Sequence, residues 1–436
     1  MYAPRSASLP TALTDLLAHA HPADLADVLE RLRPSQRLIL YRHLGAAQAA
    51  EVLHHLGTDA ARRLLHILGP SEAGSLLNRL PMDDVAAILG NEQAKRRENF
   101  LAAMQPTEAD QVRDLLRYPK QSAGRLATEQ FAQARPEMTV AETLQQIRTA
   151  KPDVETLSNI YVLDTDERLV GVIALSALVC AEPTARLESI MAREVVSVRP
   201  ETDREQVARL VARYDFLAIP VVLEDGRMLG IITVDDLIHV LVEEGTEDAL
   251  RFGAVEPGTL NQPYFTTPIW QVIRTRIGWL VLLFVGQSLT GQVLRGFEAE
   301  LASMVALTFY IPMLIGMGGN TGAQTVSTII RGMALGEVRW GDLGRVLQRE
   351  LVSGVILGVV AFGRVLLLGT DALAPVIALS IAVICLWANI VSSVIPLLAQ
   401  KLKIDPALIS APLITTLVDA TGLAIYLLIA RWLLGL

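Results

Sequence analysis

The chain has 436 residues, of which 51% are hydrophobic and 19% charged, with a mean hydropathy of +0.39. An ordinary soluble domain carries about 25% charged residues, so this chain is too apolar to be wholly soluble and too charged to be wholly membranous. Residues 271–436 hold 8 acids and 11 bases, a net of +3, whereas residues 1–270 hold 38 acids and 27 bases, a net of −11. That asymmetry excludes a single globular enzyme, a disordered tail protein and, because of the acidic balance, a nucleic-acid binder. The two cysteines, Cys180 and Cys385, fall in different halves, which excludes a disulfide scaffold.

The opening MYAPRSASLPTAL has no apolar run of signal-peptide length, so the acidic half is expected to stay in the cytosol. Residues 25–90 carry an apolar beat of 12. It falls at Val28, Leu40, Val52, Leu64, Leu76 and Ile88, with echoes four residues on at Leu32, Leu44, Leu56, Leu68 and Leu80. Such a beat predicts short helices stacked in pairs as a small superhelix. His43, His54, His55 and His66 flank the apolar positions without nearby cysteines or a matching acid pattern, and read as helix-surface residues.

Residues 128–246 hold a second repeat. Its first copy runs from Arg135-Pro136-Glu137 through Ile160-Tyr-Val-Leu-Asp to Leu169-Val-Gly171; its second runs from Arg199-Pro200-Glu201 through Ile219-Pro-Val-Val-Leu to Leu229-Gly230-Ile-Ile-Thr233. Each copy predicts β–α–β–β–α, with Asp225-Gly226 as a hairpin turn. After Asp236 a helical but polar stretch leads toward Pro263. It is too charged to cross a bilayer and is placed to lie across the inner mouth of whatever follows.

Five apolar stretches follow, at about 277–294, 301–330, 351–368, 375–399 and 412–434, each near the ~20 residues that a bilayer requires. With the first half inside, the inner side receives Arg274, Arg276, Arg331, Arg339, Arg345, Arg349, Lys401 and Lys403. The outer side receives only Arg295, Arg364 and Arg431, which gives an inside N-terminal region and an outside C-terminus. The second stretch contains Pro312 and the run Gly316-Met317-Gly318-Gly319-Asn320-Thr321-Gly322. Two readings stand: a bent segment lining a polar pathway, or glycines for close helix contact. The fifth stretch holds Asp419, with Thr415 and Thr416 four and three residues before it on the same helical face. An acid at such depth costs about 2.5–3.5 kcal/mol on insertion scales, so it is read as facing a cation pathway, the alternative being interhelical hydrogen bonds. Asp405 would be a second acid at the inner mouth, or a surface turn residue before proline.

The repeat of residues 128–246 resembles tandem cystathionine β-synthase (CBS) modules. The second copy keeps that family's nucleotide-binding stretch as Gly230-Ile-Ile-Thr233-Val-Asp-Asp236, so Thr233 and Asp236 are candidates for binding ATP; the first copy has Ala174 and Ala177 instead. The chain as a whole resembles the MgtE family of magnesium channels/transporters. The likeness is carried by Phe309-Tyr-Ile-Pro312-Met-Leu-Ile-Gly-Met-Gly-Gly-Asn320-Thr-Gly-Ala-Gln324, by Asp405-Pro-Ala-Leu with Pro412-Leu-Ile-Thr-Thr-Leu-Val-Asp419-Ala-Thr-Gly422, and by Tyr214-Asp215-Phe216.

The resemblance implies a multidomain chain. Its parts are an all-α superhelical N domain (1–127), α+β tandem CBS modules (128–187 and 188–246), a connecting or plug helix (247–268) and an all-α five-helix transmembrane domain (269–436). It implies a homodimer in the cell inner membrane that conducts Mg²⁺ and catalyses no reaction. Asp419, Thr415, Thr416 and Asp405 would meet the ion, with Pro312, Gly318, Gly319, Asn320 and Gln324 lining the pore. Intracellular Mg²⁺ bound to Asp83, Asp203, Glu205, Asp215, Asp236, Glu244, Glu247 and Asp248 would shut it. Ala87 and His239 stand where the family has acids, and Pro119-Lys120-Gln121 replaces an acidic stretch, so closure is expected at higher Mg²⁺. A Mn²⁺ or Co²⁺ transporter, or a membrane-anchored nucleotide or metal sensor acting on a partner protein, are the alternative readings.

Overall fold

The computed structural model describes residues 17, 19–32, 34–149, 154, 156–257, 265, 267–368 and 373–436. Part of the expected connecting segment therefore lies outside the described residues. The chain divides into two compact units, residues 1–244 with 261–266, and residues 245–260 with 267–436.

Among the described residues the first unit has eight short α-helices ahead of its strands, α1 (Pro22–Arg31), α2 (Pro34–Tyr41), α3 (Ala46–His55), α4 (Thr58–Leu68), α5 (Pro70–Leu77), α6 (Met82–Leu89), α7 (Ala94–Leu101) and α8 (Pro106–Leu115). Their spacing follows the beat of 12, because each helix has room for one apolar face and the proline, glycine or glutamine before it starts the next turn. Val52, Leu64, Leu76 and Ile88 are all at most 4% exposed and share one core with Leu53, Leu65, Leu77 and Leu89. The beat slips in α1, which buries Leu25, Ala26 and Leu29 and leaves Val28 outside.

The repeat then folds twice. In the first copy β1 (Phe131–Ala134) pairs parallel with β2 (Thr156–Leu163), which pairs antiparallel with β3 (Leu169–Ala174); α9 (Val140–Thr149) and α10 (Leu175–Cys180) flank them, and the short α11 (Leu187–Ile190) follows. In the second, α12 (Arg204–Tyr214) precedes the antiparallel pair β4 (Ala218–Val222) and β5 (Met228–Thr233), and α13 (Val234–Phe252) follows it. Register is set by paired buried residues, Ile160 with Ile173 and Ile219 with Ile232. The repeated arginines do the same work in both copies. The Arg135 guanidinium donates to the carbonyls of Leu163 and Asp164, and that of Arg199 to those of Val222 and Leu223. Gly230 is required by its neighbour, since a Cβ there would lie 2.4 Å from the Thr128 carbonyl oxygen.

The second unit holds α14 (Ile269–Gly296), the short α15 (Glu298–Ser303), α16 (Ile311–Ala334), α17 (Leu343–Leu368), α18 (Ala374–Lys401) and α19 (Ala411–Leu434). Among the described residues four stretches are long and apolar enough to span a bilayer: α14, Trp340–Val365 in the α17 region, α18 and α19. The fifth expected span, α16, is 24 residues long but less apolar, because it carries five glycines, Asn320 and Gln324. The bent-segment reading of its glycine run is corrected here. The helix continues through Gly316–Gly322, with Pro312 at its first turn, where a missing N–H costs nothing. Its glycines buy closeness: a Cβ on Gly318 would lie 2.7 Å from Ile384 Cγ2, and one on Gly322 would lie 3.0 Å from Ser392 Oγ.

The most buried span, α18, has 61% of its apolar window inside the unit, against 6% for α14 and 17% for the Trp340–Val365 stretch. α18 and α19 therefore form the centre, and the other two offer apolar faces outward. Polar rungs fix the centre. Thr325 Oγ1 donates to Asn389 Oδ1 at 2.8 Å, Asn389 Nδ2 to the Glu350 carbonyl at 3.1 Å, and Trp387 Nε1 to Thr421 Oγ1 at 2.8 Å. Satisfied side-chain amides of this kind select one helix arrangement in a lipid-like interior, where packing alone gives little preference.

Candidate functional site: an intramembrane carboxylate and an acid cluster in the first unit

α19 starts at Ser410, whose hydroxyl accepts from Leu413 N, and Pro412 sits in its first turn. Nine residues into the helix, Asp419 is 8% exposed, and its Oδ1 is buried with no hydrogen-bond partner among the described residues. A bare carboxylate oxygen in a membrane-spanning helix is costly unless it meets a cation or water. Thr415 and Thr416 donate their hydroxyl protons to the carbonyls of Ala411 and Pro412, at 3.0 and 2.9 Å. Their oxygens keep lone pairs that accept from the water shell of an ion. The buried glycines of α16 are pressed against this segment: a Cβ on Gly319 would fall 2.8 Å from Thr415 Cγ2 and 3.4 Å from Asp419 Oδ1. Gly319→Val is expected to cost about 1–3 kcal/mol by overpacking, seen as a lowered melting temperature in detergent together with reduced flux.

The expected pore residues of α16 separate into two faces. Gly318 and Gly319 are buried against α18 and α19, whereas Pro312, Asn320 and Gln324, at helical spacing, are exposed. Exposed amides on a membrane-spanning helix face a polar pathway or another protein chain rather than lipid. Asp405, before α19, is ion-paired with Arg251.

In the first unit the structure gathers Asp83 and Asp236 from sequence-distant helices, each in the first turn of its own helix, where the dipole favours negative charge. Asp84 joins them, and one carboxylate oxygen from each of the three lies within 4.8 Å of the others. Asp83 is 5% exposed. Three carboxylates this close repel one another, and a divalent cation relieves that repulsion. His54 Nδ1 contacts Asp84 Oδ2. The hydrogen bond to Asp84 raises the His54 pKa, burial opposes the rise, and the charges of Asp84, Asp236 and Asp235 add to it. Sequence reasoning missed Asp84 and His54; the paired acids Asp83-Asp84 at a helix start were the available signal.

The other expected sensor acids are not in this cluster. Asp203 caps α12 by accepting from Glu205 N at 2.9 Å, and Glu205 pairs with Arg209. Asp215 ends α12 in the left-handed region, at φ 54°. Glu244 holds Arg204 at 2.9 Å, and Glu247 pairs with Arg251. Asp248 also has a partner. Thr233 is 3% exposed and donates to Asp236 Oδ2 at 3.0 Å, whereas Asp236 itself is part-exposed.

Comparison with known proteins agrees with these features. A family model described as a divalent cation transporter (MgtE) matches residues 311–429, one for the MgtE intracellular N domain matches 20–121, and CBS domain models match 123–182 and 187–243. The magnesium transporter MgtE of Thermus thermophilus is 42% identical over 364 residues, 81% of this chain and 80% of the relative; that of Bacillus subtilis is 34% identical over 357 residues, 81% and 78% respectively. Among solved structures, the cytosolic domain of the Mg²⁺ channel MgtE in complex with ATP matches with a TM-score of 0.50 at 40% identity. It covers 52% of this chain and 94% of that one. With a multidomain fold of helical N domain, CBS tandem and helical membrane domain, the chain belongs to the MgtE family and moves Mg²⁺ across a membrane.

Proposed function

We propose that the protein works as a homodimeric Mg²⁺ channel of the cell inner membrane, with cytosolic N-terminal domains and an outer C-terminus, shut by intracellular Mg²⁺. The observation that carries this reading is Asp419 Oδ1, buried and without a partner among the described residues in the middle of a membrane unit. Mg²⁺ dehydrates reluctantly and keeps several waters, so it suits one or two carboxylates flanked by hydroxyl oxygens better than a closed protein cage. Asp419 with Thr415 and Thr416 offers that set, and two copies facing each other would double it. The exposed amides Asn320 and Gln324 and the outward apolar faces of α14 and α17 fit a second copy beside the pathway. Asp405 would attract the ion at the inner mouth.

For closure, the acids Asp83, Asp84 and Asp236 are the best-assembled regulatory site. Asp203, Glu205, Asp215, Glu244, Glu247 and Asp248 would act through the acidic field of a cytosolic part carrying −11 per chain. Cations that bind the compact state better shift the population toward it. Thr233 donates to Asp236 Oδ2, and no step of this reading runs through ATP.

The test is ion flux into protein-containing vesicles with cytosolic-side Mg²⁺ varied. Mg²⁺ entry that falls as cytosolic Mg²⁺ rises is the expected result. Transport of Mn²⁺ or Co²⁺ in preference to Mg²⁺ would transfer the pore to the alternative ion class, since carboxylates alone do not choose among them. Absence of any flux would favour a membrane-anchored sensor.

A further inference from the structure

The end of α13 belongs to the membrane unit and is fastened to it at three points. Arg251 pairs at once with Glu247, one turn earlier, and with Asp405, 154 residues later in the chain. Phe252 packs against the apolar cluster of Val326, Ala388, Ile414 and Val418, the last being the neighbour of Asp419. The helix then stops: Ala254 takes φ +58°, Ala254 N donates to the Arg251 carbonyl and Val255 N to that of Leu250, each at 2.9 Å. The following residue, Glu256, donates its N–H to the carbonyl of buried Thr275 at 3.0 Å.

The charge pattern makes Arg251 the decisive group. It is the only Lys or Arg in α13, and residues 243–248 supply four acids. Without it, Glu247 and Asp405 would face each other as like charges across the seat of Phe252. A guanidinium shared between two carboxylates presents fixed donors to both, so one side chain turns a repelling contact into a binding one. A cavity of about 380 Å³ beside the pair, lined by Glu247, Arg251, Val255 and Trp279 among others, brings solvent to it.

We infer that Arg251 is a tethered cation that latches the end of α13 onto the inner mouth, seating Phe252 beneath the Asp419 helix segment without any bound metal. Its consequence for gating rests on the channel reading above. The latch supplies part of the closing free energy, and cytosolic Mg²⁺ supplies the remainder. Arg251 is a positioning residue; it does not meet the transported ion.

Two measurements test this, both on the full chain. In vesicles, Arg251→Gln is expected to raise the cytosolic Mg²⁺ concentration for half-closure about three- to tenfold, each curve normalised to its own maximal flux, as suits a part-exposed ion pair with two acceptors. Asp405→Asn is expected to raise it as well, and the double variant to shift it no further than Arg251→Gln alone, because both remove one contact. In detergent, with Cys180→Ser to remove the exposed thiol, a Val255→Cys reporter should react with a thiol reagent severalfold faster in the Arg251→Gln background in the absence of Mg²⁺. Unchanged reactivity overturns the latch, as does an unchanged half-closure point in a protein that closes normally. Faster reactivity in a protein that conducts nothing upholds the latch and refutes the channel reading.

Discussion

Asp419→Ala is expected to cut Mg²⁺ flux by at least about a hundredfold while leaving the fold intact or firmer. The two effects have opposite sign because they have different origins. In the absence of an ion, an acid at this depth is a cost of about 2.5–3.5 kcal/mol, and Oδ1 has no protein partner among the described residues to offset it. Removing the carboxylate lifts that cost, so melting temperature in Mg²⁺-free detergent should hold or rise. On the proposed pore reading, the same group is the main attraction for the passing cation. A unit charge pair at 4 Å and an effective dielectric of ~20 is worth about 4 kcal/mol, and two decades of flux correspond to only about 2.7 kcal/mol. Asp419→Asn keeps the shape and loses the charge, so it should resemble alanine in flux. A well-folded alanine variant that transports normally would remove Asp419 from the pathway.

What the sequence made legible was whatever depends on one residue and its near neighbours. The beat of 12 works because α3 to α6 each bury the same two rows, and the paired Arg135 and Arg199 repeat because each ties the same two carbonyls in its own copy. Asp419 stands out because nothing in its own helix before Arg431 can neutralise it. The glycine run of α16 was open to two readings, since a glycine that breaks a helix and one that admits a neighbour look alike until Ile384, Thr415 and Val418 are placed against it. Which distant residues meet was not legible locally, even where paired acids such as Asp83-Asp84 stood out. His54 and Asp84 are 30 apart and Arg251 and Asp405 are 154 apart. Nor did the sequence show that Asp203 also caps α12, that Glu205 also pairs within that helix, or that Asp215 ends it.

The acid cluster of the first unit should respond to neutralisation in a way no ordinary surface acid does. Asp83, Asp84 and Asp236 place three carboxylate oxygens within 4.8 Å of one another, and a like-charge pair at that range repels by about 3.5 kcal/mol at an effective dielectric of ~20, before screening by salt. His54, drawn toward its charged form by Asp84, offsets part of this. The triple variant Asp83→Asn, Asp84→Asn, Asp236→Asn therefore relieves the repulsion, and its melting temperature without divalent cations should exceed that of the parent. Adding Mg²⁺ should then reverse the order. A cation at a hundred times its dissociation constant stabilises the state it binds by about 2.7 kcal/mol, and a unit of this size gains roughly 2–4 °C per kcal/mol. The parent should thus gain about 5–10 °C on Mg²⁺ addition and the variant almost nothing. In vesicles the same variant should stay open at cytosolic Mg²⁺ at least about tenfold above the level that shuts the parent, because the closed arrangement no longer binds the ion better than the open one. If the variant still gains stability from Mg²⁺ and still closes at the parent's concentration, the sensing ion binds elsewhere on the acidic half.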